Sequence, residues 1–344
     1  MRIGIAYDLR AEYLAAGFSE DETAEFDRAE TVEALEQTLW QLGHQSERIG
    51  HARQLVSRLA AGEEWDLVVN IAEGLSGIAR EAQVPAILDV YGIAYTFSDP
   101  LVMALTLHKG LTKTVVREGG VPTAPFCTIH RIEEAAGVKL PFPLFVKPVA
   151  EGTGKGISPA SIVRSHRELA TTCGDLLQTY DQPVLVETFL PGREFTVGLV
   201  GSGTQAEALG TMEIILRSEA EPDVYSYVNK ERCEELVEYR LVSPASDGCV
   251  RQAEAVALDA WRVLGCRDAG RIDLRCNAAG QPLFLEVNPL AGLHPEHSDL
   301  PILATKVGWT YRELIERIIR SAEPRVAQAA RSKARRFGRG LVSR

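Results

Sequence analysis

The apolar residues in the first third of the chain follow two alternating periods. Residues 3–7 and 66–71 form short apolar runs of strand length. Between them lies a stripe at helical spacing, which Gly43 ends; its members are Val32, Leu35, Leu39 and Leu42. This alternation predicts an α/β domain with a parallel sheet over residues 1–100. In such sheets, ligands bind at the loops that follow the carboxyl ends of the strands.

The strands become more closely spaced after a helical stretch at residues 101–118. Three apolar runs, 143–148, 183–187 and 194–200, follow at short intervals and predict an antiparallel sheet. The remaining elements that we predict are a helix at 250–264, strands at 270–276 and 283–288, and a terminal helix at about 301–321.

These patterns predict three domains and a tail. We expect a second domain at 101–188, a third at 189–322, and a basic, disordered tail at 323–344. From Arg325 to Arg344 the tail has seven basic residues and no acidic ones, which is typical of a solvated extension.

The composition excludes several classes of protein. The chain has 344 residues, of which 45% are hydrophobic and 24% charged, as in a soluble globular protein of two or three domains. Its net charge of −10 argues against nucleic acid as a partner, although a local basic pocket could still hold a small anion. No run approaches the roughly 18 apolar residues of a membrane span, so we expect no membrane partner and a cytoplasmic location. Six scattered cysteines argue against a metal knuckle or a disulfide framework.

A glycine-rich loop follows the run that ends at residue 148. Its polar and glycine residues are Glu151, Gly152, Thr153, Gly154 and Lys155. Glycines allow backbone N–H groups to approach phosphate oxygens closely, and the Thr153 and Lys155 side chains are further donors. The loop does not match the Walker A pattern, because Val149 and Gly156 occupy two of its required positions. A flexible surface hairpin explains the loop equally well.

Two late strands present charged residues at alternate positions. Arg271 and Asp273 share one face of their strand, and Glu286 and Asn288 share one face of the next. If the strands pair, three oxygen-bearing side chains and one guanidinium meet, and such oxygens suit Mg²⁺. A structural ion pair on a solvated face is the alternative interpretation.

Together these motifs resemble the ATP-grasp superfamily, and within it the D-alanine–D-alanine ligase group, over about residues 107–308. The markers, in chain order, are Lys109, Lys147-Pro148, the glycine loop, 187–190, 192–197, 270–273, 286–289, Gly292-Leu293 and 297–301. The resemblance implies a three-domain α/β ATP-grasp fold in which two antiparallel sheets clamp the nucleotide.

The resemblance also implies a role for individual residues in binding ATP. Lys109 and Lys147 match phosphate-binding lysines, and Glu194 matches the acceptor from the ribose. Glu187, Phe189 and Leu190 match the hinge that recognises adenine. Lys230 matches a mobile loop over the phosphates. Without the resemblance, Lys109 and Glu194 would be interpreted as surface residues.

Further implied roles concern the metal and the reaction. Asp273, Glu286 and Asn288 match ligands of Mg²⁺, with Mn²⁺ as a possible substitute. Arg271 matches the arginine that stabilises negative charge during the reaction, and Ser298 matches a residue that holds the carboxylate of the second substrate. With Lys230, these two are the expected catalytic residues.

The match is weakest where the family binds its first substrate. Tyr7-Asp8-Leu9-Arg10 replaces the glycine-rich first loop, and the histidine–glycine after the second strand is replaced by 70–74. Asp8 and Glu73 are candidates for holding an ammonium group, and a loop-capping role explains each equally well. Tyr225 and Gly292 are further candidate substrate residues. In the family, a tyrosine follows the lysine of the mobile loop. In this sequence Glu231 occupies the position of that tyrosine.

The sequence therefore predicts an ATP- and Mg²⁺-dependent carboxylate–amine ligase that acts through an acyl phosphate on an altered substrate. Its partners would be a small carboxylate and a small amine, such as an amino acid, a peptide or a modified metabolite, and a homodimer is common among similar ligases. One alternative is a hydroxyl or thiol acceptor, and another is a nucleotide-binding regulator without turnover.

Overall fold

The structure is a computed structural model that describes residues 1–340, apart from the side chains of Tyr227, Glu231 and residues 334–340. Its first sheet is parallel, with strand order β2-β1-β3-β4. The strands are β1 (Arg2–Ala6), β2 (Gln45–Gly50), β3 (Leu67–Asn70) and β4 (Ala94–Tyr95). The helices around it are α1 (Arg10–Ala15), α2 (Ala29–Gln41), α3 (Ala52–Ala60) and α4 (Gln83–Tyr91). All four residues of β3 are buried, which explains the apolar run Leu67-Val68-Val69 within it.

The second sheet is antiparallel and follows a pair of connecting helices. These are α5 (Pro100–Leu107) and α6 (Lys109–Glu118), which are separated at His108. The sheet has the order β5-β8-β6-β7 and packs against α7 (His166–Tyr180). Its strands are β5 (Phe126–Ile129), β6 (Leu144–Pro148), β7 (Ile162–Val163) and β8 (Val184–Thr188).

The third sheet is also antiparallel and carries the two charged strands. Its order is β11-β10-β9-β12-β13. The strands are β9 (Glu194–Val200), β10 (Glu207–Leu216), β11 (Val237–Val242), β12 (Ala269–Cys276) and β13 (Pro282–Asn288). Two short helices, α8 (Tyr227–Glu231) and α9 (Cys233–Leu236), lie before β11. The helix α10 (Gly248–Leu264) buries its apolar stripe against this sheet.

The chain ends differently from the prediction. The expected single terminal helix is two helices, α11 (Asp299–Lys306) and α12 (Tyr311–Gly340), because the chain turns at Gly308 with a φ of +92°. Where the sequence analysis expected a disordered tail, α12 continues through residue 340. Ala322, Val326 and Ala329 continue its apolar stripe onto the core of the first sheet. Residues 341–344, the rest of the predicted tail, lie outside the described residues.

A buried carboxylate joins the first domain to the third sheet. Asp268, which is fully buried, directly precedes β12. Its Oδ2 accepts from the backbone N–H of Phe97 at 2.7 Å, and Arg325 of α12 donates to its Oδ1 at 3.1 Å. Arg325 also donates to the carbonyl of Tyr95 in β4 at 3.0 Å. The first sheet, α12 and β12 are thus held together at one point. Among residues 1–340, no helix has the length and apolarity needed to cross a membrane.

Candidate active site

Two cavities meet at Glu286. The larger one, of about 230 Å³, lies between loops of the first domain, the glycine loop, the amino end of β12 and the carboxyl end of β13. The smaller one, of about 70 Å³, lies between the two antiparallel sheets, with Phe145 and Lys147 on one side and Asp273 and Arg275 on the other. Glu286 lines both cavities, so a molecule in one can approach a molecule in the other at this carboxylate.

The charged strands pair as their alternation predicts. In the antiparallel register of β12 and β13, Arg271 lies opposite Asn288, and Asp273 lies opposite Glu286. Arg271 forms an ion pair with Asp273 Oδ2, and the Asn288 Nδ2 group lies 3.5 Å from the same oxygen. Thr196 of β9 donates to Asp273 Oδ1 at 2.8 Å. The four predicted side chains therefore share one patch.

Two buried lysines face Glu286 from opposite elements. Lys147 Nζ of β6 lies 3.4 Å from Glu286 Oε2, and Lys109 Nζ at the start of α6 lies 4.0 Å away. Burial alone would raise the pKa of Glu286, but these ammonium groups lower it below its ordinary range. The lysines themselves differ. Burial lowers the pKa of Lys109, whereas the two carboxylates of Glu187 and Glu286 outweigh burial and raise the pKa of Lys147.

A lysine that the sequence analysis did not single out is bound to Glu187. Lys113 Nζ lies 2.8 Å from Glu187 Oε2, and Lys147 Nζ lies 3.3 Å from Oε1. Lys113 is fully buried and also donates to the carbonyl of Phe284 in β13 at 3.0 Å. The Glu187 carboxylate therefore lines the smaller cavity with both oxygens already facing ammonium groups. Lys113 follows Lys109 by four residues, which places both on the same face of a helix. This spacing is the feature of the sequence that could have identified Lys113 as a site residue.

The residues around Glu286 suit a magnesium ion whose remaining coordination positions are filled by a bound small molecule and water. Asp273, Glu286 and Asn288 supply two carboxylates and one amide oxygen on adjacent strands. Within the described part of the chain, no group of three His, Cys, Asp or Glu side chains is arranged to hold a metal ion by itself. Mg²⁺ in nucleotide sites is bound by one or two carboxylates together with phosphate oxygens and water. The donor set matches that pattern and does not form a complete protein cage.

The glycine loop divides between two surfaces. Glu151, Gly152 and Thr153 line the larger cavity, where the buried Thr153 hydroxyl has no hydrogen-bond partner among the described residues. Thr153 has a φ of +49°, a strained conformation for a β-branched residue and one that is typical of functional loops. Lys155 instead pairs with Glu151 at 2.5 Å and lines neither cavity. Gly154 is also absent from the lining of both.

The smaller cavity contains the other residues predicted for the nucleotide. Phe189, Leu190 and Glu194 line it, and Glu194 Oε2 lies 3.3 Å from Arg275 Nη1. Burial raises the pKa of Glu194, an effect that Arg275 opposes in part. Lys230 also lines this cavity, with its Nζ 4.8 Å from the ring centre of Tyr225. The structure therefore places Tyr225, a predicted substrate residue, beside the smaller cavity.

The other predicted substrate residues lie around the larger cavity. Ser298 and Gly292 line it, and the Ser298 hydroxyl accepts from the backbone N–H of His294 at 3.0 Å. A Cβ atom on Gly292 would lie 2.7 Å from the Ser298 hydroxyl oxygen, so a larger residue at this position would displace that hydroxyl. Glu73 lines the cavity as well. Asp8 is buried behind it and accepts hydrogen bonds from the Tyr13 hydroxyl at 2.5 Å and the Gly74 N–H at 2.9 Å.

Two antiparallel sheets that enclose a cleft lined by lysines and carboxylates, next to a parallel α/β domain, define the ATP-grasp class of enzymes. The family described as D-ala D-ala ligase C-terminus matches residues 115–320. The chain belongs to the D-alanine–D-alanine ligase family, and it is a ligase that forms carbon–nitrogen bonds with the use of ATP.

Individual relatives agree with this assignment. A D-alanine–D-alanine ligase of Bordetella avium is 34% identical over 261 residues, which cover 74% of this chain and 77% of that protein. An uncharacterised protein of Sinorhizobium fredii, y4sG, is 33% identical over 80% of this chain and 77% of its own length. The crystal structure of a Bacillus anthracis D-alanine–D-alanine ligase complexed with ATP has the same fold, with a TM-score of 0.71, 20% identity, and coverage of 95% of this chain and 99% of that one.

Proposed function

We propose that the protein joins a carboxylate to an amine through an acyl phosphate, with ATP in the smaller cavity and the organic substrates in the larger one. The observation that carries the proposal is the position of Glu286. Its carboxylate lines both cavities and faces Lys147 at 3.4 Å and Lys109 at 4.0 Å. A γ-phosphoryl group at this junction would lie within reach of the lysines on one side and of a substrate carboxylate on the other.

Each partial reaction balances without a nucleophilic side chain. A carboxylate oxygen of the donor substrate attacks the γ-phosphorus of ATP, and ADP leaves with the bonding electrons. The neutral nitrogen of the amine then attacks the acyl carbon, inorganic phosphate leaves, and the nitrogen loses a proton as the amide forms. The protein contributes positioning and charge stabilisation, which can supply most of a rate enhancement.

The nucleotide is assigned to groups in the smaller cavity. Phe189 and Leu190 follow β8 at the edge of this cavity, where the adenine would lie, and Glu194 is the acceptor for the ribose hydroxyls. Lys147 and Lys109 bind phosphate oxygens, and Lys230 covers them from the α8 segment. Glu187 orients Lys147 in this scheme, because both of its oxygens already face lysines. The bound ATP in the Bacillus anthracis relative supports this use of the fold.

Asp273, Glu286 and Asn288 would hold Mg²⁺. When bound, this ion would neutralise negative charge on the phosphates. Arg271 is positioned by Asp273 and by Asp299, whose Oδ2 lies 3.5 Å from Arg271 Nε. From there the guanidinium stabilises negative charge on the acyl phosphate and on the tetrahedral intermediate. The unpartnered Thr153 hydroxyl and the Gly152 segment would contact the same phosphoryl group.

The substrates are assigned by the lining of the larger cavity. Ser298, next to Gly292, would hold a carboxylate of the amine substrate. The donor lies toward the first domain, where the sequence departs from dedicated D-alanine–D-alanine ligases. We therefore propose that the donor differs from that of dedicated D-alanine–D-alanine ligases. We also propose that the protein forms a homodimer.

The variant Glu286→Gln tests the proposal. It keeps the size of the side chain but removes the charge that faces Lys109 and Lys147 and that would hold Mg²⁺, so we expect amine-dependent ADP release to fall by at least about 100-fold. The fold should remain intact by circular dichroism. Glu118→Gln, which changes an exposed glutamate of α6, is the matched control and should keep full activity. Undiminished turnover of Glu286→Gln would contradict the assignment.

A further inference from the structure

The larger cavity contains an excess of carboxylates. Six acidic side chains line it, against the three cationic ones of Arg28, Lys109 and Arg271. Three of the acidic side chains come from loops of the first domain and have no ion-pair partner within 4.0 Å among the described residues. We call these the acidic wall: Asp27, Glu73 and Glu81.

The other charged groups of the cavity are already engaged. Glu25 pairs with Arg80 at 2.6 Å and accepts from the Gly152 N–H at 2.5 Å. Lys109 faces Glu286 and donates to the carbonyl of Glu151 at 2.5 Å. Arg271 is paired with Asp273 and Asp299, as described above. Arg28 is exposed at the mouth of the cavity. None of these cations neutralises the acidic wall.

Glu81 is the clearest indication that the acidic wall binds a ligand. The residue is only 9% exposed and lies in a single helical turn, Arg80–Ala82. In the described part of the chain its carboxylate makes no hydrogen bond or ion pair, yet it lines the cavity. A buried carboxylate without a partner is costly, and such groups are normally paired with a cation or with hydrogen-bond donors.

The electrostatics of the wall agree with this interpretation. Burial, followed by repulsion from Glu25, raises the pKa of Glu81 to about 7, even though Arg80 opposes it. Burial also raises the pKa of Asp27 to about 8, with Asp8 adding to the effect and Thr31 reducing it. The pKa of Glu73 is raised well above its ordinary range, first by burial and then by Glu81. A bound cation would relieve these costs.

A single ammonium group does not match three carboxylates. The α-ammonium of an ordinary amino acid would pair with one carboxyl group of the wall and leave the other two without a cationic partner. A donor with a second ammonium group on its side chain would satisfy two of them. Its carboxylate, which is bonded to the same carbon as the α-ammonium, would then face Arg271 and Glu286 across the cavity.

Building on the ligase function proposed above, we propose that the acyl donor is a diamino carboxylic acid, whose two ammonium groups are held by Asp27, Glu73 and Glu81. The carboxylate that is activated lies at the Glu286 end of the cavity. The specificity of the enzyme thus resides in the first domain, where its sequence differs from that of dedicated D-alanine–D-alanine ligases.

Matched pairs of donors test this proposal. ADP release is measured with lysine, ornithine and 2,4-diaminobutyrate, and with the isosteres 2-aminoheptanoate, norleucine and norvaline, each as both enantiomers and with a panel of amine acceptors. We expect at least one diamino acid to exceed its isostere by about 10- to 100-fold in kcat/KM, as expected for a charge-assisted hydrogen bond. Equal or better turnover of all isosteres would overturn the inference while leaving the ligase function intact. ADP release with none of the donors would instead count against the proposed function.

The variant Glu81→Gln locates the effect. It should reduce the diamino preference, measured as the ratio of kcat/KM for the diamino acid to kcat/KM for its isostere, to less than about fivefold, and Glu118→Gln should retain the full preference. If Glu81→Gln proves unstable, Glu73→Gln serves the same purpose, because Glu73 faces the same cavity. An unchanged preference in a folded variant would show that the acidic wall does not select the donor.

Discussion

Lys113 connects the two antiparallel sheets through buried polar contacts, and its removal should be strongly destabilising. Its ammonium group lies 2.8 Å from Glu187 of β8 and 3.0 Å from the carbonyl of Phe284 in β13. The two charged side chains are 0% and 2% exposed, so solvent does not screen the pair. At an effective dielectric constant of about 20, a separation of 2.8 Å corresponds to a gross attraction of roughly 6 kcal/mol.

The variant Lys113→Met keeps an unbranched side chain that is one atom shorter and removes its charge. It leaves Glu187 with only Lys147, at 3.3 Å, as a partner. Breaking a buried pair costs about 3–5 kcal/mol because one charge stays buried, and we expect a loss of that size in the free energy of unfolding. Urea denaturation followed by circular dichroism and tryptophan fluorescence measures it.

The matched control for this experiment is Lys306→Met, which removes an exposed lysine of α11 and should change stability by less than about 0.5 kcal/mol. Adding Glu187→Gln to Lys113→Met should recover part of the loss, because the buried charge is then gone. A loss below about 1 kcal/mol for Lys113→Met would refute the view that this ion pair holds the two sheets together.

Two further predictions concern the larger cavity. Gly292→Ala places a Cβ atom 2.7 Å from the Ser298 hydroxyl oxygen, so KM for the amine substrate should rise at least several-fold in steady-state assays; Gly137→Ala, where a Cβ meets no atom within 4 Å, should leave KM unchanged. The second concerns Asp27, whose pKa of about 8 lies above that of an unfolded aspartate, about 4. The native state therefore keeps a proton that the unfolded chain has lost, and the free energy of unfolding should fall as pH rises through this window. Thermal melts from pH 5 to pH 8 should show a shallower fall for Asp27→Asn, and an identical slope would contradict this reasoning.

The charged strands were predictable because their geometry is local. An alternation with period two places Arg271 and Asp273 on one face whatever the rest of the fold does, and the same holds for Glu286 and Asn288. Their pairing in β12 and β13 required only that two consecutive strands be neighbours. The roles assigned to these residues stay predictions until the variants are measured.

Contacts between distant parts of the chain were not predictable from these patterns. Lys113 has the spacing of a helix-surface lysine, and its burial depends on Glu187 and Phe284, which are 74 and 171 residues away. Glu25 belongs to a segment that is conspicuous only for its acidity, yet it accepts from Gly152, 127 residues further on. In the same way, the composition of the tail predicted disorder, because the core that Val326 and Ala329 pack against includes residues of the first domain that are distant in the sequence.

The buried contacts of Asp268 have a consequence for the choice of substrate. Because this carboxylate binds Phe97 and Arg325 and directly precedes β12, the first domain cannot slide along the strand that carries Arg271. The opposite ends of the larger cavity are therefore kept at a constant separation. A cavity of constant length selects donors by their length. A donor that is too short spans only part of the cavity, and one that is too long collides with its far end.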